Sequence, residues 1–275
     1  RDVYENADKR LLDQVRGLSK NTAANICTAT TDGSLGAKLD ILYENDVTAY
    51  GYGMDEYPPI LGDIIDAPAV IDAKGCMSLS DFDRSIGIVG TRRCTRYGRK
   101  VTEQLAEELA AESVVVVSGL ARGIDTHAHM GELHGGGFTI AVLGCGVDVV
   151  YPRENKRLYE QIMASGAIVS EFFPGMQPVA ANFPARNRII SALSRGVLVV
   201  ESAKKGGSLI TVDFALEQGR DVFAGPGNID MPSSEGSNRL LRNGAIPVTC
   251  CADILAEYNW DIKYNPKKAE QEGME

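Results

Sequence analysis

Three stretches of the chain carry residue types suited to holding an anion or a planar ring. In the first, Gly90-Thr91-Arg92 follows a short apolar run. Arg93, Arg96, Arg99 and Lys100 come next, with no acid among residues 91–100. Glycine lets a backbone approach a phosphate, a following helix start offers free N–H groups, and arginine adds a bidentate charge. The second stretch, Asn182-Phe183-Pro184-Ala185-Arg186-Asn187-Arg188, puts a ring, an amide and two guanidinium groups at the start of a helical pattern. Those types suit a nucleotide: phosphate to Arg186 and Arg188, a base edge to Asn187, a base face to Phe183. In the third, Lys204-Lys205-Gly206-Gly207-Ser208, two ammonium groups precede a Gly-Gly-Ser turn that opens a helix, a cradle for an anion.

Each stretch also has a plain structural reading. Arg96, Arg99 and Lys100 begin a helix whose later turns carry Glu103, Glu107, Glu108 and Glu112, so pairs such as Arg99–Glu103 would absorb part of the charge. Phe183 would serve equally as an apolar staple at a helix start. A further loop, Ser118-Gly119-Leu120-Ala121-Arg122-Gly123-Ile124-Asp125, sets one arginine between glycines, and Asp125 is suited to capping the helix that follows. Glu171, at another strand end, could serve as a base, but a lone acid near several arginines more often makes a positioning salt bridge. His127, His129 and His134 have no carboxylate or Cys at a zinc spacing, so no metal site is expected. The chain lacks G-x-x-x-x-G-K-[ST], H-E-x-x-H and G-x-S-x-G, and G-x-G-x-x-G is absent from the Ser118–Asp125 loop. Anion holders abound, with no nucleophile or base among them.

The elements that must position these residues form a regular alternation. Short apolar runs at Ile86–Val89, Val114–Val117, Thr139–Leu143, Ala167–Ser170, Val197–Val200 and Asp221–Ala224 predict strands covered on both faces, with Ile246–Val248 as an edge strand. Helical patterns fall between them at Gly98–Glu112, Ile124–Leu133, Arg153–Ala164, Pro184–Ser194 and Ser208–Gln218, and two short ones follow at Asn238–Leu241 and Ala252–Tyr258. The prediction is an α/β, doubly wound, mostly parallel sheet with helices on both faces. In such a sheet all three stretches fall at the carboxyl edge, where ligands bind.

Four parts are expected: a small helical piece at 1–50, an extended linker with an edge strand (Ala69–Ala73) at 51–84, the main domain at 85–260 and a polar tail at 261–275. The helical piece rests on the Ala7–Val15 pattern and on a short helix at Leu35–Leu42. The 275 residues, 44% apolar, can bury a sizeable core, and the formal net charge of −9 argues against indiscriminate nucleic-acid binding but not against a local basic site. Six cysteines without a C-x-x-C pair fit reduced thiols and a cytoplasmic location, and no apolar run is long enough to span a membrane. No leader of basic and apolar residues opens the sequence.

In order along the chain, Tyr57-Pro58-Pro59, Gly90-Thr91-Arg92, the Ser118–Asp125 loop with His127, and Tyr151-Pro152 with Asn155 form a series. It continues with Ser170-Glu171, Phe183-Pro184 with Arg186-Asn187-Arg188-Ile189, Gly206-Gly207-Ser208-Leu209, Pro226-Gly227 and Gly244-Ala245. This set resembles the DprA (also called Smf) family, the bacterial DNA-processing proteins of natural transformation, over roughly residues 57–257. The resemblance implies an extended Rossmann-like fold that binds single-stranded DNA in a basic pocket without catalytic turnover or cofactor. It also implies homodimers, delivery of strands to RecA and displacement of single-strand-binding protein. By position, the pocket would draw on Gly90, Thr91, Arg92, Ser118, Arg122, Phe183, Arg186, Asn187, Arg188, Lys204, Lys205, Gly206, Gly207 and Ser208. Residues 1–45 resemble a remnant of the family's SAM-like domain, and a C-terminal winged helix, present in many members, is not expected. Replacing Arg92 or Arg186 is expected to weaken binding while the fold survives. The alternative is a nucleotide phosphoribohydrolase of the LOG (lysine-decarboxylase-like) type. Here Gly206-Gly207-Ser208 precedes Glu217, but that family's loop reads P-G-G-x-G-T-x-x-E, and this chain lacks the leading Pro, the third Gly and the Glu spacing.

Overall fold

The computed structural model describes residues 12, 19–28 and 34–261. The chain divides into two units, Arg1–Thr48 and Ala49–Glu275. The first contains α1 (Lys20–Thr28) and α2 (Ser34–Glu44). The helix expected at Leu35–Leu42 is thus α2. The Ala7–Val15 pattern lies outside the described residues except at Leu12, and the tail beyond residue 261 lies outside them altogether.

The second unit is built on a nine-stranded sheet. Its strands are β1 (Thr48–Gly51), β2 (Val70–Gly75), β3 (Ser85–Val89), β4 (Val115–Ser118), β5 (Thr139–Val142), β6 (Ala167–Ser170), β7 (Gly196–Val199), β8 (Asp221–Ala224) and β9 (Ile246–Pro247). Their order is β1-β2-β6-β5-β4-β3-β7-β8-β9. β2 runs antiparallel to β6, and every pairing from β6 across to β9 is parallel. From β3 the chain steps outward through β4, β5 and β6, then crosses back to β7 on the other side of β3. The winding direction reverses between β3 and β7, and a crevice opens there at the carboxyl ends.

Alternate residues of the central strands feed two apolar layers. Val115 and Val117, Ile140 and Val142, and Val197 and Val199 face one side. They meet α3 (Pro59–Gly62) through Ile60 and Leu61, α7 (Asn182–Ala192) through Ile189 and Ile190, and α8 (Ser208–Glu217) through Val212 and Ala215. Ile86, Ile88, Val116 and Leu198 face the other side. There they meet α4 (Arg96–Ala111) through Leu105 and Leu109, α5 (Ile124–His134) through Ile124 and Ala128, and α10 (Cys251–Glu257) through Ile254 and Leu255. Two further helices, α6 (Lys156–Ser165) and α9 (Glu235–Arg242), complete the unit. Burial on both faces explains why these strands read as unbroken apolar runs.

The linker differs from its sequence reading in two places. β2 is interior, because β1 lies outside it. Pro58-Pro59, expected to be extended, starts a short helix, since a proline at the first helical position has no N–H to leave unpaired.

Candidate nucleic-acid interface

The loop after β3 is clamped from both sides. A Cβ on Gly90 would sit 2.5 Å from Ile124 Cγ1 and 2.8 Å from the Glu201 carbonyl oxygen, so only glycine permits this approach. The Thr91 N–H donates to the Glu201 carbonyl at 2.8 Å, and the Ile124 N–H donates to the Thr91 carbonyl at 3.2 Å. From this fixed loop Arg92 projects exposed, with no ion pair among the described residues, its guanidinium 5.6 Å from the Phe183 ring centroid.

The loop after β4 forms the floor. Ser118 is fully buried and its hydroxyl donates to the Ile88 carbonyl at 2.6 Å, which ties β4 to β3 and removes Ser118 from any surface. Leu120 adopts a left-handed φ of 54°. The Asn155 side-chain amide holds that strained turn by donating to the Leu120 carbonyl at 2.9 Å and to Thr126 Oγ1 at 2.9 Å. Asp125 is the second residue of α5, behind Gly123 rather than at the cap. Its carboxylate accepts the backbone N–H groups of Ala121 and Gly119. Burial still pushes the carboxyl up to about 6, against the pull of Arg186 and Arg92.

The first turns of α7 supply the wall. Arg186 is only 3% exposed and donates from Nη1 to the carbonyls of Gly119 (2.7 Å) and Val142, and from Nε to Asn187 Oδ1 at 3.2 Å. Its guanidinium occupies the space a Cβ on Gly119 would take. Burial pulls its pKa down to about 10, offset by Asp125, so it stays charged at neutral pH. Phe183 is close to both guanidinium groups, 5.9 Å from that of Arg186, and packs on Tyr151 with centroids 5.4 Å apart. Gly144 leaves room for the ring, since a Cβ there would come within 3.1 Å of it.

Arg188 does not join this wall. Residues two apart on a helix face away from one another, and Arg188 points into a buried clamp. Nη1 and Nη2 hold Glu171 at 2.9 and 2.6 Å, and Nε holds Asp66 Oδ2 at 2.9 Å. Glu171 thus takes the ion-pair role read from the sequence, and it takes Arg188 with it.

The loop between β7 and α8 closes the far side. Gly206, Gly207 and Ser208 line the basin, and Ser208 Oγ donates to Ser202 Oγ at 3.0 Å. The N–H groups of Gly207 and Ser208 find no acceptor among the described residues, at a helix N-terminus that favours an anion. Lys204 is exposed and pairs with Glu235 at 3.2 Å, whereas Lys205 is exposed with no ion pair among the described residues. Arg122 pairs with Glu154 on the surface beside Tyr151. The expected Arg99–Glu103 pair does not form, because Glu103 binds His127 Nδ1 at 2.7 Å. His129 is buried on Thr139 Oγ1 and its pKa is lowered to about 3 by burial. Among the described residues no cluster of metal-ligating side chains exists.

Together these loops enclose an open basin of about 700 Å³ at the crevice between β3 and β7, with Gly90, Thr91, Arg92, Phe183, Arg186 and Asn187 among its lining. Arg93 and Tyr151 also line it. The coupling of Asp125 to Arg186 joins residues far apart in the chain and left no signal in the sequence. Chemically the basin offers an exposed guanidinium, a ring close to two cations and unpaired backbone N–H groups. It suits a phosphate with an attached base, and its one carboxylate, Asp125, accepts two backbone N–H groups and lies in the field of Arg186.

Comparison with known proteins shows the family. The sequence model of the family described as DNA recombination-mediator protein A matches residues 48–259. The DNA processing protein DprA of Streptococcus pneumoniae is 48% identical over 206 residues, covering 75% of this chain and 72% of the relative. Its crystal structure superposes with a TM-score of 0.81 at 38% identity, over 96% of this chain and 91% of that one. The DprA of Helicobacter pylori, solved for its single-stranded DNA binding mode, superposes with a TM-score of 0.70 at 29% identity, over 79% of this chain and 97% of that one. The chain belongs to the DNA recombination-mediator protein A family, that of DprA and Smf.

Proposed function

We propose that the chain binds single-stranded DNA in the basin and acts in DNA processing by holding the strand, without turnover. Phosphates meet Arg92, the Gly207 and Ser208 N–H groups and Lys205, while a base stacks on Phe183 beside Arg186 and Asn187. The observation that carries this reading is the Phe183 ring, 5.6 and 5.9 Å from the Arg92 and Arg186 guanidinium groups, in one basin with the N-terminus of α8. The single-stranded DNA binding mode described for the H. pylori relative supports it. As the finer part of the same proposal, the bound strand is kept from other partners and passed to RecA during transformation. Single-strand-binding protein gives way indirectly, and a cytoplasmic homodimer does the work.

A competition titration tests the binding. Oligo-dT, duplex DNA and a nucleoside monophosphate compete for the protein at two salt concentrations. Oligo-dT is expected to win, with affinity falling as salt rises, as it does when cations displace counterions from a strand. Tight binding of the monophosphate alone, with release of free base, would instead favour the phosphoribohydrolase.

A further inference from the structure

The loop that carries Arg92 has a second side. Glu201 grips it at both ends: its carbonyl accepts the Thr91 N–H, and its carboxylate accepts the Thr95 N–H at 2.9 Å and the Thr95 hydroxyl at 2.5 Å. Residues 91–95 therefore form a fixed ridge. Arg92 and Arg93 line the basin on one side, and on the other Arg96 and Tyr97 line a separate cavity of about 520 Å³. Glu201 forms part of its lining, with Pro226, Asn228 and Met231 opposite.

The Tyr97 ring is half exposed at 49%, yet it is held in place, because its hydroxyl donates to the Pro226 carbonyl at 2.9 Å. That carbonyl belongs to a braced loop. Gly227 and the Asn238 side chain exchange two hydrogen bonds, from the Gly227 N–H (3.1 Å) and to its carbonyl (3.0 Å). A ring fixed before binding loses little entropy when a flat partner stacks on it.

The lining decides which part of a nucleotide fits. A carboxylate in the wall repels a phosphate. Glu201 is only 2% exposed and both of its carboxylate oxygens already accept from Thr95, so the polar edge of a base is left to Asn228. Pro226 and Met231 add apolar walls, and Asn228 adds a donor and an acceptor. Arg96, exposed at the rim with no ion pair among the described residues, suits the phosphate that stays outside.

We propose that a single strand bound in the basin crosses the Arg92–Thr95 ridge and inserts one unstacked base into this second cavity, onto Tyr97. The inference rests on the strand-binding reading above and adds a second stacking position to it. Phosphates lie along the ridge on Arg92, Arg93 and Arg96. One base enters on each side, to Phe183 and to Tyr97.

The test measures binding of a dT12 and of a dT3 to wild type and to the Tyr97→Ala, Tyr97→Phe, Phe183→Ala and Arg92→Ala variants. A scan of single abasic sites along the dT12 accompanies it. Tyr97→Ala is expected to weaken dT12 by about tenfold, within the range for one stacked base, and to leave dT3 unchanged. Tyr97→Phe keeps the ring but loses the hydroxyl that fixes it on the Pro226 carbonyl, and is expected to bind dT12 more tightly than Tyr97→Ala and more weakly than wild type. In wild type the scan should show two sensitive positions, one abolished by Phe183→Ala and the other by Tyr97→Ala. If Arg92→Ala and Phe183→Ala weaken binding while Tyr97→Ala leaves affinity and the abasic profile unaltered, the second subsite is refuted and the basin stands. If Arg92→Ala and Phe183→Ala both bind dT12 as wild type does, the basin reading falls and the subsite with it.

Discussion

Arg186 tests the floor of the basin, and its loss should damage the fold rather than merely remove a contact. The structure thereby revises the expectation that it could be replaced without cost to the fold. Its guanidinium serves the Gly119 and Val142 carbonyls and stands beside the buried Asp125. Truncation to Ala orphans two buried acceptors at about 1–3 kcal/mol each and removes the cation whose field offsets the burial of the Asp125 carboxylate. Asp125 escapes part of that second penalty by taking up a proton. We expect a net loss of about 2–6 kcal/mol, a large share of the roughly 5–15 kcal/mol that holds a domain. The loss should depend on pH. Burial holds the Asp125 carboxyl at about 6 in the folded state against 3.8 for the free group. Its stabilising contribution is therefore full below the unfolded value and lost as pH rises through 6. Without Arg186 the folded value climbs further, so the deficit should be larger at pH 7.5 than at pH 5.5. Urea unfolding at the two pH values, followed by circular dichroism, measures both quantities. An unchanged midpoint at pH 7.5, or a deficit equal at the two pH values, would falsify the coupling of Asp125 to Arg186.

Arg92→Ala should behave in the opposite way, because the side chain is exposed with no ion pair among the described residues. Its unfolding midpoint should match wild type, while the slope of log affinity against log salt falls by about 0.7, the value for one phosphate contact on a single strand; an unaltered slope would mean that Arg92 touches no phosphate. Phe183→Ala should lose about 1–3 kcal/mol of affinity for oligo-dT, and Phe183→Tyr should retain it, as titrations of the two variants would show. Glu132 is buried with neither carboxylate oxygen partnered among the described residues, and burial raises its carboxyl well above the usual 4.5. A raised folded value means stability lost as pH climbs above the unfolded value. Glu132→Met should therefore melt above wild type at pH 8, with the gain shrinking towards pH 5; a gain independent of pH would show that ionisation is not the cause.

The parallel strands were legible to within a residue or so because both of their faces are buried, which leaves continuous runs such as Val114–Val117 bounded by polar or glycine residues. β1 was not legible: Thr48–Gly51 is four residues long, only partly buried and without an apolar run. At the site, sequence could show that Arg186 and Arg188 flank an Asn but not that a helix turns them apart. It could show the loop glycines but not that Gly119 makes room for a guanidinium from α7. Ser118 looked available because it ends an apolar run before a glycine. Its hydroxyl in fact satisfies a carbonyl one strand away. Such assignments depend on which strands neighbour one another, and local pattern carries no record of that.

How a chain of net charge −9 can hold a polyanion follows from where its charges are already engaged. Arg188 is taken up by Glu171 and Asp66, Arg122 by Glu154 and Lys204 by Glu235. Arg92, Arg93, Arg96 and Lys205 have no ion pair among the described residues, and all four stand on the loops after β3 and β7 or at the first residue of α4. The single carboxylate in the basin, Asp125, is buried beneath the surface a strand would touch, compensated by Arg186 and by two N–H groups. Acids such as Glu107 and Glu108 occupy the later turns of α4, away from its N-terminal end at the ridge. Field at a cleft depends on uncompensated local charge more than on the total. On the proposed reading, the excess acid elsewhere would disfavour DNA on the remaining surface, and the unpaired cations at the carboxyl edge would confine the strand to the loops that carry Phe183 and Tyr97.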